Sequence, residues 1–322
     1  MNPAAGRLDV IDLLVQYGAD INLPEKEENR PLFTAVKNGY EKIVKYLIDH
    51  GAETNIRNSS GWTPLMSAAI SGRFDIVKCL IEQGKVNIDD QDENNLTALM
   101  VAITSQHLEM VKYFVEHGAN LNLSENHGLT PLISAIASKN LDIVKFLIEQ
   151  GADTKIVLNE GDTPLHFAVK NPNTDIIEYL IEKGLDINSA TNTGATPLYA
   201  AVTRGNLKVV RYLVEHGANV NSVTKEGITP LLSAVLERHL DVTEYLLKHG
   251  ANANTRITRG SIDGWTPLMF ATAKGNLDIV KILVAYGADV NAKTRRFSVL
   301  DIANLHDHLD IADFLRNHIG SE

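Results

Sequence analysis

One phrase returns along this chain at a nearly constant interval, and a chain that repeats itself about every 33 residues has few folds open to it. The phrase is Thr-Pro-Leu-x-x-Ala. It stands at Thr63, Thr130, Thr163, Thr196, Thr229 and Thr266, with weaker copies beginning at Arg30, Thr97 and Ser298. From Arg30 onward the spacings are 33, 34, 33, 33, 33, 33, 37 and 32 residues. A period in this range signals a stacked array of short units, each burying its apolar face only against its neighbours. Such an array has no single enclosed core, so function is to be sought on a surface rather than in a pocket.

The unit around Thr63 can be read residue by residue. Gly61 suits a tight turn with positive φ, Thr63 suits an N-cap, and Pro64 suits the first helical position, which needs no backbone donor. A short helix then carries Leu65, Ala68 and Ala69 inward and ends near Gly72. Asp75 opens a second helix, where its charge complements the helix dipole, and Ile76, Val77, Leu80 and Ile81 form the buried stripe. Gly84 is expected to close that helix as its C′ residue, with a short extended hairpin following. In every copy Leu stands two residues after the Thr position and Ala stands five residues after it, from Leu32 and Ala35 to Leu300 and Ala303. A site that never exceeds a methyl group implies close helix-to-helix approach.

With the motif [DN]-x-x-G-x-T-P-L-x-x-A followed by G-x-x-[DE]-[IV]-V-x-x-L-[IV]-x-x-G-A-[DN]-x-N, the chain resembles an ankyrin-repeat protein from about Ala5 to Ile319. The resemblance implies an all-α solenoid of L-shaped repeats, each with two antiparallel helices and a protruding β-hairpin. It also implies a non-catalytic scaffold that binds other proteins through its concave face and hairpin tips. We divide the 322 residues as one repeat domain: a partial unit at 1–24, repeats at 25–57, 58–91, 92–124, 125–157, 158–190, 191–223, 224–260 and 261–292, and a capping repeat at 293–322. The cap has lost the Thr-Pro pair and gained Asp307, Asp313, Arg316 and Asn317, as a terminal repeat should. The chain begins almost inside a second helix. The expectation is therefore a fragment of a longer protein, or an N-terminal end that a partner covers, and the chain is expected to be monomeric unless that end is so covered. The alternative function is the targeting arm of a larger enzyme or secreted effector whose active domain is absent from this chain.

Composition closes several other classes. The net charge of −10 opposes non-specific binding to nucleic acid, whose affinity comes mainly from neutralised phosphates. No run of about 18 apolar residues offers a membrane span, and MNPAAGRLDV lacks the basic and apolar regions of a secretion signal. The lone Cys79 occupies a helical position where sister repeats carry Tyr46, Tyr113 or Phe146, and reads as a packed apolar residue. Together these point to a soluble, cytoplasmic protein. No H-E-x-x-H, G-x-S-x-G, P-loop or Rossmann fingerprint occurs, so no catalytic, metal or cofactor site is expected. His50, His117, His216 and His249 each precede a helix-closing glycine, where a His favours the dipole. The resemblance implies an internal hydrogen-bonding role for His166, in TPLH.

The resemblance also places the residue before each Thr at a corner facing the groove. This position holds Trp62, Leu96, Leu129, Asp162, Ala195, Ile228, Trp265 and Phe297. Trp62, Leu96, Leu129, Ile228, Trp265 and Phe297 are the candidate partner-binding residues, since exposed aromatics are disproportionately hot spots; the alternative is that each ring packs on its neighbouring hairpin. A second candidate is electrostatic: Arg256, Arg259, Lys293, Arg295 and Arg296 fall on two successive fingers of an acidic chain, either as a patch for an acidic peptide or phosphate, or as solvated hairpins. Third, Asn22, Asn188 and Asn291 sit in an L-x5-[DE]-φ-N pattern resembling that of hydroxylated asparagines in animal ankyrin repeats; the structural alternative is an Asn that ties the hairpin turn.

Overall fold

Thr-Pro at the head of each unit starts a helix for a local reason. In the computed structural model, which describes residues 7–23, 30–257 and 263–319, the Thr hydroxyl accepts the N3 backbone N–H. Thr63 takes that of Met66 at 3.3 Å, Thr196 that of Tyr199 at 3.2 Å and Thr229 that of Leu232 at 3.2 Å. Proline follows at a position whose missing donor costs nothing. Ser298 in the last unit replaces the pair with a capping box, in which Asp301 reaches back to the Ser298 N–H.

The helices fall into two compact units. Residues 1–154 hold α1 (Leu8–Gln16), α2 (Pro31–Asn38), α3 (Glu41–Asp49), α4 (Pro64–Ile70), α5 (Phe74–Glu82), α6 (Ala98–Thr104), α7 (Leu108–Glu116), α8 (Pro131–Ala137) and α9 (Leu141–Glu149). Residues 155–322 hold α10 (Pro164–Ala168), α11 (Asp175–Glu182), α12 (Pro197–Thr203), α13 (Leu207–Glu215), α14 (Pro230–Leu236), α15 (Leu240–Lys248), α16 (Pro267–Ala273), α17 (Leu277–Ala285), α18 (Val299–Leu305) and α19 (Leu309–Arg316). Within each unit, first helices pack on first helices (α2, α4, α6 and α8; α10, α12, α14, α16 and α18), and each from α2 on packs on its own second helix. Both units are therefore all-α stacks of the repeat-solenoid class.

The invariant positions make the stack. All nine Ala residues five positions after the Thr register are at most 3% exposed, and the Leu residues from Leu32 to Leu268 at most 2%. Leu300 is the exception: it is half-buried. In α5, Ile76, Val77 and Leu80 are buried as the stripe requires, Ile81 is half-buried, and Cys79 fills a packed position.

Three local expectations change. First, Gly84 does not take the left-handed C′ conformation. The extra residue in this loop lets the Gly84 N–H bond Leu80 O at 3.0 Å, and Lys85 takes positive φ (50°) instead. Second, α10 has five residues where sister first helices have seven or eight. Asn171 precedes Pro172, whose ring disfavours helical backbone at the residue before it. Third, the connections are not extended hairpins. Among the described residues the only β contact is an isolated bridge, Lys293 to Ser298. Each finger described throughout is instead a turn closed on itself, such as Asn58 N–H to Trp62 O at 3.0 Å with Gly61 N–H to Asn58 O at 2.9 Å.

Candidate functional site

The corner before the Thr is built in several repeats by the first side chain of its finger. Asn58 Oδ1 accepts the N–H groups of Ser60 and Trp62, both at 3.0 Å. Asp92 Oδ1 accepts Asn94 and Leu96 at 2.8 Å, and Glu125 Oε1 accepts His127 at 2.8 Å and Leu129 at 3.0 Å. Thr224 Oγ1 accepts Ile228 at 3.1 Å. These bonds replace a strand ladder and fix the corner residue against the start of the following helix. Trp62, Leu96 and Leu129 in the first unit, and Asp162, Ala195, Ile228 and Trp265 in the second, are all half-buried; Phe297 is exposed. The Trp265 ring leans on Phe270 of α16, with centroids 4.9 Å apart. Each corner residue thus has one face packed and one face open.

Beside the first-unit corners lies a surface cavity of about 290 Å³ between α2 and α4, lined by Phe33, Lys37, Asn58, Ser67, Ile70 and Ser71. Ile70 is 51% exposed. Ile70 and Ser71 stand seven and eight residues after Thr63, where other repeats carry different residues, such as Thr104-Ser105, Thr203-Arg204 and Leu236-Glu237. Phe33, Lys37 and Ser67 were not singled out from the sequence, although they occupy nearby positions of the same register. At the other side of α2 and α3, a larger apolar cavity of about 310 Å³ opens toward α1, lined in part by Ile11, Leu14, Val15, Ile21 and Leu47. No residue of α1 is buried, and Leu13, Leu14 and Tyr17 are exposed.

The basic fingers divide into two kinds of cation. Arg256 donates from Nη1 to Gly264 O at 3.2 Å and Lys293 O at 3.1 Å, so it ties its own finger to the next. Arg57 makes the same pair of contacts, to Gly61 O at 3.0 Å and to Gln91 O. Lys293, Arg295 and Arg296 are exposed. Arg259 lies outside the described residues.

The asparagines form a ladder between fingers. Asn188 donates to Gly217 O at 3.2 Å while its Oδ1 accepts the Asn219 N–H at 2.8 Å. Asn22 does the same with Gly51 and Glu53, and Asn221 and Asn254 repeat it. At Asn291 the Asx turn is formed, its N–H bonding Asp289 at 2.9 Å, and the ladder partners that the spacing assigns to it lie outside the described residues. The amides of Asn22 and Asn188 are thus already engaged in structure.

The histidines have structural addresses. His50, His117, His216 and His249 each donate from Nδ1 to the carbonyl four residues back, at 2.7–2.8 Å, and lie against the ring of that same tyrosine. His318 pairs with Phe314 in the same way. This aromatic-x-x-x-His pairing was readable in the sequence once the helix register was known. The tyrosines in turn bind carboxylates of the preceding repeat: Tyr46 to Asp12 and Tyr113 to Glu82, both at 2.8 Å. Burial and the Glu82 carboxylate push the Tyr113 hydroxyl up to about 12. Burial likewise pushes the Cys79 thiol up, away from the reactive thiolate. Among the described residues, no group of three or more His, Cys, Asp or Glu side chains could hold a metal ion, and no helix is long and apolar enough to cross a membrane.

The family model for ankyrin repeats (three copies) matches residues 3–92, 84–157, 165–257, 220–294 and 254–322. No curated protein matches the chain.

Proposed function

Since the chain belongs to the ankyrin-repeat family, whose repeats are generally protein–protein interaction modules and typically non-catalytic, we propose that it is a recognition scaffold with no chemistry of its own. The binding surface we assign is the finger corners together with the open faces of the first helices. One observation carries this reading. The positions that hold the stack are invariant and buried, whereas the corner residues, Trp62 and Trp265 among them, keep an apolar face open beside them. An aromatic ring already fixed on one face loses little rotamer freedom on binding, which is how a corner tryptophan becomes an anchor. The lone buried thiol suits a reducing, cytoplasmic setting, and we assign the chain as a monomer until a partner engages it.

The test is an affinity pull-down from source-cell lysate with mass spectrometry, comparing the parent chain with Trp62→Ala/Trp265→Ala. Prey lost from the variant supports the corner surface. Prey retained in full by both moves the site away from the corners.

A further inference from the structure

The last finger differs from the others by one deleted residue, and the deletion falls at the position that shapes the turn. Six fingers close over five residues, with the fourth left-handed: Gly61, Asn95, Gly128, Gly161, Gly194 and Gly227, at φ between 61° and 84°. The last closes over four, Thr294 to Phe297, by Thr294 N–H to Phe297 O at 2.9 Å. The left-handed residue is the one that is gone, which is why the spacing from Thr266 to Ser298 is 32 rather than 33. Thr294 Oγ1 accepts the N–H groups of Arg296 at 3.3 Å and Phe297 at 3.0 Å. The Lys293–Ser298 bridge and the Arg256 bond to Lys293 O hold its base.

Arg295 and Arg296 therefore occupy the central positions of a tight, pre-formed turn, with Lys293 and the exposed ring of Phe297 flanking them. None of the three cations forms an ion pair with a described residue. Of the two carboxylates that flank the turn in sequence, Asp289 accepts the Asn291 N–H at 2.9 Å and Asp301 is committed to Ser298 at 2.7 and 2.8 Å; those Ser298 bonds, with a smaller contribution from the Lys293 charge, hold Asp301 below the usual carboxylate range. The corresponding tips elsewhere are Ser59-Ser60, Glu93-Asn94, Asn126-His127, Asn159-Glu160, Asn192-Thr193 and Lys225-Glu226, none with adjacent cations.

We propose that the rebuilt turn at Thr294–Phe297 is an anion-reading finger that takes a short acidic segment of a partner protein, with carboxylates or phosphoryl groups on Arg295 and Arg296 and an apolar neighbour on Phe297. This rests on the recognition reading above and adds the chemistry of the ligand. Two adjacent arginines on a held turn suit an anion because the backbone that carries them is already ordered and each charge-assisted bond is strong. A short peptide is favoured over a nucleic acid or an anionic membrane by the charge of the whole chain, −10. Screening confines the field of the finger to about 8 Å at physiological salt, so the finger favours a short segment, whereas an extended polyanion would also meet the rest of a net acidic chain.

The experiment is fluorescence polarisation with three labelled peptides of one length and one aromatic residue: Glu-rich, phosphoserine-bearing, and a neutral Gln version. A single-stranded DNA 20-mer and anionic vesicles run beside them, at low and high salt. The expected result is binding of the acidic peptides only, weakened by salt, and weakened about tenfold or more in Arg295→Glu/Arg296→Glu. Arg295→Lys/Arg296→Lys should retain most binding to the Glu-rich peptide. Tighter binding of the phosphoserine peptide would name phosphoryl groups as the source, and equal binding would name carboxylates. Equal affinity for the neutral peptide, no binding of any peptide, or DNA or vesicles bound more tightly would overturn the proposal. So would an unchanged affinity in the charge-reversed variant. Circular dichroism checks folding, and Lys293→Glu gives a second charge reversal should the double variant misfold. Prey lost from the tryptophan variants without peptide binding here would leave the recognition surface standing and remove the finger alone.

Discussion

His166 shows how one buried polar residue is kept in a single protonation state. It is 1% exposed in α10. Its Nδ1 accepts the Thr163 N–H at 3.2 Å and faces the Thr163 hydroxyl at 2.9 Å, so the ring proton sits on Nε2, 3.1 Å from Ala195 O. A second proton would have to displace the donors at Nδ1 and charge a buried ring, and burial accordingly lowers the pKa. The sign follows. Above the ordinary histidine value of about 6.5 both folded and unfolded chains hold a neutral ring, and the stabilisation is complete. Below it the unfolded chain takes a proton that the folded site refuses, so stability falls as the pH drops. The melting temperature is expected to fall between pH 7.5 and 5.5, and to fall less in His166→Gln. Parallel pH slopes for the two proteins would show that His166 does not carry this dependence.

Between elements, the glycine that ends a first helix and the residue that opens the second helix of the next repeat come in matched sizes. Where the glycine stands, a large side chain from the next repeat lies against it: Arg73 at Gly39, His107 at Gly72, His239 at Gly205 and His308 at Gly275. A Cβ built on Gly205 would lie 2.6 Å from the His239 ring. Where the left-handed residue is Gln106 or Arg238, at φ 60° and 61°, the next opener is Asn140 or Asn276, which caps its own helix at 3.1 Å instead. Two pairings recur: glycine with a large side chain, or a left-handed side chain with a short Asn cap; Lys139, at φ 62°, follows neither, since the next opener, Thr174, makes no side-chain cap. Gly205→Lys should therefore cost about 2 kcal/mol, from left-handed strain plus the clash. Adding His239→Asn should return about 1 kcal/mol, the coupling expected of residues in contact. Additive losses in denaturant melts of the single and double variants would refute the pairing. Neither solution is visible in one repeat. The rule emerges only when residues about 34 positions apart are set side by side.

At the scale of the molecule, the absence of a single enclosed core should make damage local. Each helix pair in a stack of this kind is stabilised by its own contacts and those of its nearest neighbours. Ala168 is 1% exposed, and Ala168→Leu should overpack it at a cost of about 1–3 kcal/mol. Hydrogen exchange is expected to speed up first in α10 to α13, while α4 to α7 keep their protection. Uniform loss of protection along the whole chain would mean that the repeats unfold as one cooperative body instead.

The sequence by itself determined the period, the helix pair, the caps at each Thr and the burial of every repeated Ala. These follow from side chains acting on backbone within a few residues of themselves, and nine copies of one pattern average away local accidents. The corner positions were legible for the same reason, since each stands one residue before a cap. Tertiary structure decided what depends on contacts between repeats. It gave Arg256 a carbonyl on the next finger and turned Asn22 and Asn188 into clamps. A side chain about 30 residues away along the chain and one repeat away in space leaves no mark on local propensity. Its effect appears only once the stack has brought the two together.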